Sequence, residues 1–78
     1  MKITVKFLST YRRYLPEETG TALEWELPTG ATVRDLLAEL PLPSKDKKIV
    51  LVNGRGVGPD AILHEGDAVA IFPAVAGG

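Results

Sequence analysis

The fold is decided by one stretch, Thr32-Val33-Arg34-Asp35-Leu36-Leu37-Ala38-Glu39-Leu40, residues 32–40, whose apolar side chains recur with the period of a helix. They fall at positions i, i+3, i+4 and i+7 and share one stripe of that helix: Val33, Leu36, Leu37 and Leu40. Thr32 is placed to cap the N-terminus, and Asp35 is a shorter version of the Glu or Gln of a capping box. Pro41 and Pro43 end the helix.

The segments on both sides of this helix have strand patterns. Residues 2–8 and 22–27 alternate apolar and polar side chains, which predicts two strands that are each buried on one face. Residues 49–52 form a short apolar run that predicts a buried strand, and Asn53-Gly54 predicts a turn with positive φ. Residues 68–72 predict the last strand.

The two remaining connections are less regular. Residues 9–20 are too long for a tight hairpin, so they predict a loop with room for a helical turn. Residues 55–63 are mixed, and we expect a short strand that ends near Ile62-Leu63. The resulting order, β-β-α-β-(β)-β, predicts an α+β fold: a mixed sheet of four to five strands with one main helix on one face. A second strand directly follows the first, which excludes a doubly wound sheet.

Size and composition favour a carrier or binding module. A chain of 78 residues forms one domain with a small core and little room for an enclosed cleft. Its net charge of -1 gives no bulk electrostatic case for binding nucleic acid or an anionic membrane. It contains no cysteine, which excludes disulfides and thiolate chemistry. We expect a cytoplasmic protein, because the first residues do not form a signal peptide and no apolar run could span a membrane.

Side-chain catalysis and anion binding have little support in the sequence. His64 lies in a polar turn, while Ser9 and Ser44 have no base nearby in the sequence, and the Glu17-Glu18 pair lies in a charged loop. The glycine-rich residues 54–58 follow a strand but do not lead into a helix, as a phosphate loop would. We therefore interpret them as a connection between strands.

The Tyr11-Arg12-Arg13-Tyr14 segment is a weak form of a nucleic-acid patch, because it has only two arginines and two acidic residues follow at positions 17 and 18. A contact with protein is an equally good interpretation of this segment. An ordinary exposed surface is a better interpretation than either.

The C-terminal residues point to a different kind of chemistry. Pro73-Ala74-Val75-Ala76-Gly77-Gly78 is small and uncharged, and six extended residues reach about 20 Å, more than the width of a helix. Glycines fit a narrow channel that a side chain would block. The terminal carboxylate is a poor electrophile until it is converted to an acyl-adenylate, which sulfur or nitrogen nucleophiles can attack. The tail alone does not exclude an inert, frayed terminus.

The whole chain resembles the MoaD/ThiS family of sulfur carriers. The resemblance is strongest in Val52-Asn53-Gly54, in Leu63-His64-Glu65-Gly66-Asp67-Ala68-Val69, and in Pro73-Ala74-Val75-Ala76-Gly77-Gly78, which appear in the family's order with compatible spacing. The Val5-Lys6-Phe7 strand, Tyr11-Arg12 and the helix start at residues 32–37 are similar to the same family.

This resemblance implies a ubiquitin-like β-grasp domain over residues 1–72 and a flexible Gly-Gly tail over 73–78. It also implies that an E1-like adenylyltransferase uses ATP to adenylate Gly78, and that a sulfur donor protein converts the adenylate to a thiocarboxylate. The tail, Pro73, Ala74, Val75, Ala76 and Gly77, would then insert into a MoaE-like large subunit of molybdopterin synthase. On this basis the chain is a non-catalytic carrier with no bound cofactor or metal, and its apolar partner surface comprises Leu8, Val57 and Phe72.

Three alternatives remain open at the level of sequence. A thiamin-type carrier would deliver its sulfur to thiazole formation. The long stretch over residues 9–31 and the Phe72-Pro73 approach to the tail favour the molybdopterin branch. A protein modifier would share the activation step and join Gly78 to a lysine amine. A plain binding module would have an inert tail.

Overall fold

The structure of the protein is a computed structural model, and it describes residues 1–14, 22–43 and 45–74. The described part contains a five-stranded sheet, one α-helix and one 3₁₀ helix. In chain order, the elements are β1 Lys2–Phe7, the 3₁₀ helix Ser9–Tyr14, β2 Ala22–Glu26, α1 Val33–Glu39, β3 Lys48–Val52, β4 Arg55–Val57 and β5 Ala68–Pro73.

The strand order in the sheet is β2-β1-β5-β3-β4. The central pair, β1 and β5, is parallel, with Val5 beside Val69, and the other neighbouring strands are antiparallel. One face of the sheet is buried, because alternate residues of β1, namely Ile3, Val5 and Phe7, are at most 1% exposed. These residues form one core cluster with Val33 and Leu36 of α1. The predicted mixed sheet with one helix on one face is therefore confirmed.

The N-terminus of α1 has the predicted capping box. The Thr32 hydroxyl oxygen accepts a hydrogen bond from the Asp35 amide at 3.3 Å, and the Asp35 carboxylate accepts one from the Thr32 amide at 2.9 Å. Both amides belong to the first turn, where no intrahelical partner exists. The helix ends at Glu39, with Leu40 as its extended C-cap, so Pro41 follows the helix as predicted.

Asn53 and Gly54 form the two-residue connection between β3 and β4. Their φ angles are +52° and +85°, which is the left-handed conformation that this dipeptide predicted. Two successive residues with positive φ match the twist of the strands that they join. The glycine-rich residues 54–58 are accordingly a hairpin with a short edge strand.

The expected strand near Ile62-Leu63 was wrong in its position. The short strand is β4, Arg55–Val57, and Ile62 makes only an isolated bridge to Thr32. The physical reason is that the backbone of this segment pairs with the approach to α1: the Leu63 amide donates to the Ala31 carbonyl and the Val33 amide to the Ala61 carbonyl, both at 2.9 Å. These bonds leave the segment outside the sheet and hold the start of the helix.

The loop expected over residues 9–20 contains the 3₁₀ helix Ser9–Tyr14, and its continuation over 15–20 lies outside the described residues. Within the described part of the chain, no helix is long and apolar enough to cross a membrane.

Candidate functional site

The C-terminal end of β5 is where the described chain leaves the sheet. Pro73, the last residue of β5, pairs with Lys48 at the start of β3. The Ala74 amide then donates a hydrogen bond to the Lys47 carbonyl at 2.9 Å. Because β5 lies between β1 and β3, the chain emerges from the middle of one end of the sheet rather than from an edge.

This attachment changes the expected geometry of the tail. Pro73 and Ala74, predicted as its first two residues, are held against β3, while Val75, Ala76, Gly77 and Gly78 lie outside the described residues. Four residues beyond Ala74 can reach about 13–14 Å when fully extended, instead of the 20 Å estimated for six residues. That length still exceeds the diameter of a helix, about 10–12 Å.

The face of the sheet that points away from α1 carries an apolar area beside this exit. The pairings Ile49 with Phe72 and Leu51 with Ala70 set these four side chains on that face, opposite Val50 and Ile71. Ile49 is 39% exposed, and the other three are partly buried. We call Ile49, Leu51, Ala70 and Phe72 the open-face patch.

Leu8 extends the open-face patch towards β1. The Leu8 amide donates to the Ile71 carbonyl at 2.9 Å, as the Thr4 amide does to the Asp67 carbonyl at 3.0 Å. The parallel register, which pairs Phe7 with Ile71, therefore continues by one residue and sets Leu8 beside Phe72. The structure thus brings together two of the three predicted interface residues.

The third predicted interface residue, Val57, lies on the opposite side of the sheet. It pairs with Val50, which is buried, and it lines a groove with Val33 and Leu37 of α1. Val57 therefore cannot share one surface with Leu8 and Phe72. The prediction failed here because it placed Val57 by its position in the chain, whereas the hairpin register determines which face the side chain occupies.

Sequence reasoning missed Ile49 and Leu51, which lie on the same face of the sheet as Phe72. The signal was present in the uninterrupted apolar run over residues 49–52. In a sheet covered by a helix on one face, alternate residues of such a strand must point to the uncovered face. The run was interpreted simply as a buried strand, although only one helix was predicted to cover the sheet.

The loop that precedes β3, next to the exit, is held by hydrogen bonds from β3 itself and from the 3₁₀ helix. The Lys48 ammonium group donates to the Pro43 carbonyl at 2.5 Å and to the Asp46 carbonyl at 3.1 Å. From the 3₁₀ helix, the hydroxyl of Tyr11 donates to the Asp46 carboxylate at 3.1 Å. Burial, and then the hydrogen bond and negative charge of Asp46, raise the pKa of Tyr11 to about 12.

Among the polar candidates that the structure describes, His64 lies in the turn before β5, at the end of the sheet away from the exit. The side chain of His64 is 77% exposed, as a turn residue is expected to be. Ser44 and Glu17-Glu18 lie outside the described residues. Among the residues that the structure describes, no three His, Cys, Asp or Glu side chains are grouped to hold a metal ion.

Known proteins are similar to this chain in both sequence and fold. The ThiS family model matches residues 5–78. Small archaeal modifier protein 3 of Haloferax volcanii is 32% identical over 95 aligned positions, which cover 100% of both proteins. A putative molybdopterin converting factor, subunit 1, from Pyrococcus furiosus superposes with a TM-score of 0.77 at 32% identity, over 95% of this chain and 98% of that one. The crystal structure of SAMP1 from Haloferax volcanii has a TM-score of 0.72 over 100% of both chains, and at 20% identity it shows the shared fold alone.

These matches confirm the predicted ubiquitin-like β-grasp fold and the resemblance on which it was based. The family match extends from β1 to the last residue, so it includes both the sheet and the C-terminal glycines. The chain therefore belongs to the ThiS family, the MoaD/ThiS group of small ubiquitin-like carriers and modifiers.

Proposed function

We propose that this protein is a sulfur carrier in molybdopterin biosynthesis, and that its reactive group is the C-terminal carboxylate of Gly78. The observation that carries the proposal is the exit of the chain from the centre of the sheet, next to the open-face patch. A partner that covers the patch would receive the residues beyond Ala74 directly. The resemblance to a protein described as a molybdopterin converting factor subunit favours this pathway.

Activation would occur in two steps on an E1-like adenylyltransferase. The Gly78 carboxylate attacks the α-phosphate of ATP, which forms the acyl-adenylate and releases pyrophosphate. A hydrosulfide equivalent from a sulfur donor protein then attacks the acyl carbon, so a C–S bond forms and the C–O bond to AMP breaks. AMP leaves with the bonding pair, and the product is the thiocarboxylate.

In this scheme the chain itself is a carrier and not an enzyme. The catalytic groups belong to the activating enzyme and to a MoaE-like large synthase subunit, where a pterin precursor would accept the sulfur. The chain contributes a docking surface, formed by Leu8, Phe72 and the rest of the open-face patch, and a tail narrow enough to enter a channel. It would bind no cofactor of its own, and ATP would be a substrate of the partner.

The test is to incubate the protein with the E1-like enzyme from the same organism, ATP and sulfide, and to measure its intact mass. The expected product gains the mass difference between sulfur and oxygen, and it loses that gain when the large subunit and pterin precursor are added. A variant lacking Gly77-Gly78 is the matched control, and it should keep its thermal stability while remaining unmodified. Absence of both the adenylate and the thiocarboxylate in the full chain would refute the proposal.

A second function, conjugation to other proteins, is favoured by the relative called small archaeal modifier protein 3. The adenylate would be the same, but a lysine amine would attack it and form an isopeptide bond to Gly78. Digests of cell protein would then contain branched peptides in which Gly78 is joined to lysine. The two functions use one activated terminus, so either product, or both, can be detected in the same cells.

A further inference from the structure

Two segments that carry exposed basic side chains flank the place where the chain leaves the sheet. Arg12 and Arg13 are exposed on the 3₁₀ helix, and Lys45 and Lys47 are exposed on the loop whose Lys47 carbonyl binds Ala74. These two segments are 30 or more positions apart in sequence, and the hydrogen bond between Tyr11 and Asp46 at 3.1 Å brings them together. We call Arg12, Arg13, Lys45, Lys47 and Lys48 the exit collar.

The exit collar differs in charge from the rest of the molecule. Residues 9–18 and 43–48 together contain five basic and three acidic side chains, counting Glu17 and Glu18, which lie outside the described residues. The rest of the chain then has the remaining four basic and seven acidic side chains. A protein with a net charge of -1 therefore carries a positive surface where its chain emerges.

The opposite end of the sheet has acidic side chains on its surface. Glu26 pairs with Lys2 at the start of β1, and the carboxylate of Glu65 accepts a hydrogen bond from the Lys2 amide at 2.9 Å. The ammonium group of Lys2 lies 3.6 Å from the carboxylate of Glu24. The N-terminal ammonium group of Met1 and the side chain of Arg55 also belong to this end, so its charges nearly balance. The excess of basic side chains therefore lies at the exit and is not matched at the opposite end.

We propose that the exit collar docks against an acidic protein surface around the entrance of the channel that receives the tail. This inference rests on the proposed function, in which residues beyond Ala74 enter a partner. Whatever the tail enters must lie next to the collar, because the collar flanks the last anchored residues. Complementary charge would accelerate the encounter and orient the carrier with its tail first, an effect that can increase association rates by about 10-fold to 1,000-fold.

An acidic protein accounts for the position of the collar better than nucleic acid does. Phosphates would also be attracted to a basic surface, but nucleic acid offers no channel for the residues beyond Ala74, whereas a protein does. The open-face patch also adjoins the exit through Phe72, so the collar and the patch form neighbouring parts of one docking surface. This combination of an apolar area and a charged rim is typical of protein interfaces.

The test measures association of the protein with its E1-like activating enzyme by stopped-flow fluorescence over a range of salt concentrations. Two variants, Arg12→Gln/Arg13→Gln and Lys45→Gln/Lys47→Gln, remove exposed charges from the collar. Lys2→Gln/Arg55→Gln is the matched control, since it removes the same charge from exposed residues away from the exit. Lys48 is left intact because its ammonium group holds the loop.

At low ionic strength each collar variant should associate about tenfold more slowly than the wild type, with a shallower salt dependence, while the control stays close to the wild type. Equal rates for the collar and control variants would overturn the inference. A second result would also overturn it: the wild type binds a labelled single-stranded DNA oligonucleotide, and the collar variants lose that binding but associate with the partner at the wild-type rate. Adenylation of the wild type at saturating enzyme is measured separately, and its absence refutes the proposed function. Normal adenylation together with equal association rates refutes only the docking role of the exit collar.

Discussion

Asn53 and Asp67 connect the turn after β3 to the turn before β5. The side-chain amide of Asn53 donates to the Asp67 carboxylate at 3.0 Å, and its oxygen accepts from the Ala68 amide, also at 3.0 Å. The second oxygen of Asp67 accepts from the His64 amide at 2.8 Å. Two loops that are distant in sequence are thereby fixed at one end of the sheet, the end away from the exit.

Replacement of Asp67 should be costly because the residue is only 9% exposed and its carboxylate accepts from two donors. We expect Asp67→Ala to lower the free energy of unfolding by roughly 2–3 kcal/mol, since two donors lose their partners. Asp67→Asn should be destabilising as well, because one carboxylate oxygen becomes an NH₂ group that faces a donor. Urea denaturation measures both, with the exposed Asp60→Asn as a control that should change little.

Asn53 combines a hydrogen-bonding role with a φ of +52°. Asn53→Gly keeps the left-handed conformation accessible and removes only the side-chain bonds, whereas Asn53→Ala adds a conformational cost of about 1–2 kcal/mol. The alanine variant should therefore unfold at a lower urea concentration than the glycine variant. Equal midpoints would show that the positive φ contributes nothing to stability.

The capping box of α1 should be measurable because the helix has only seven residues. Thr32→Ala removes the oxygen that accepts from the Asp35 amide, and we expect a loss of about 1 kcal/mol. Thr29→Ala, in the preceding exposed turn, provides the matched control with an expected change of less than about 0.5 kcal/mol. A Thr32→Ala variant as stable as Thr29→Ala would contradict the proposed energetic role of the cap.

Tyr11 should make stability decrease in alkali. Its pKa is about 12 in the folded protein, above its ordinary value of 10.0, so the unfolded chain loses the phenolic proton first. The stabilisation is complete below pH 10 and is lost as the pH rises towards 12. Tyr11→Phe should lose about 1 kcal/mol at neutral pH with the hydrogen bond to Asp46, and it should lack this part of the pH dependence.

The measurement is the difference in unfolding free energy between the wild type and Tyr11→Phe at a series of pH values. Every other ionisable group is present in both proteins, so the difference reports on Tyr11. A constant difference between pH 9 and pH 12 would show that the folded state does not hold this proton more tightly than the unfolded chain.

Local sequence patterns predicted the helix and strands of this fold, but not which side chains lie together on each face of the sheet. The period of residues 32–40 and the Asn53-Gly54 turn depend on neighbours in sequence, and both agree with the structure. The side of the sheet occupied by Val57 depends on its pairing with Val50 across the hairpin. Composition and spacing contain no information about that register, so Val57 was misplaced.

The same limit applies to the surroundings of the exit. The sequence favours an ordinary exposed surface for Arg12 and Arg13, because their sequence neighbours Glu17 and Glu18 offset their charge. In the folded chain their segment is joined to the one that carries Lys45 and Lys47, because the Tyr11 hydroxyl donates a hydrogen bond to Asp46. Asp67 lies in the same turn as His64, but its partner Asn53 lies 14 positions earlier in the sequence. Long-range pairs of this kind become visible only once the chain is folded.

The open-face patch gives a last prediction, which concerns partner binding rather than stability. Ile49 is 39% exposed and lies beside Phe72, so Ile49→Glu places a charge at the proposed interface without disturbing the core. Ile62→Glu is the matched control, because Ile62 is 57% exposed and lies outside the sheet. If the patch docks the activating enzyme, Ile49→Glu should weaken binding at least about tenfold by calorimetry, the effect of losing a buried apolar anchor. Both variants should keep the thermal stability of the wild type, and equal affinities would move the docking surface away from this face.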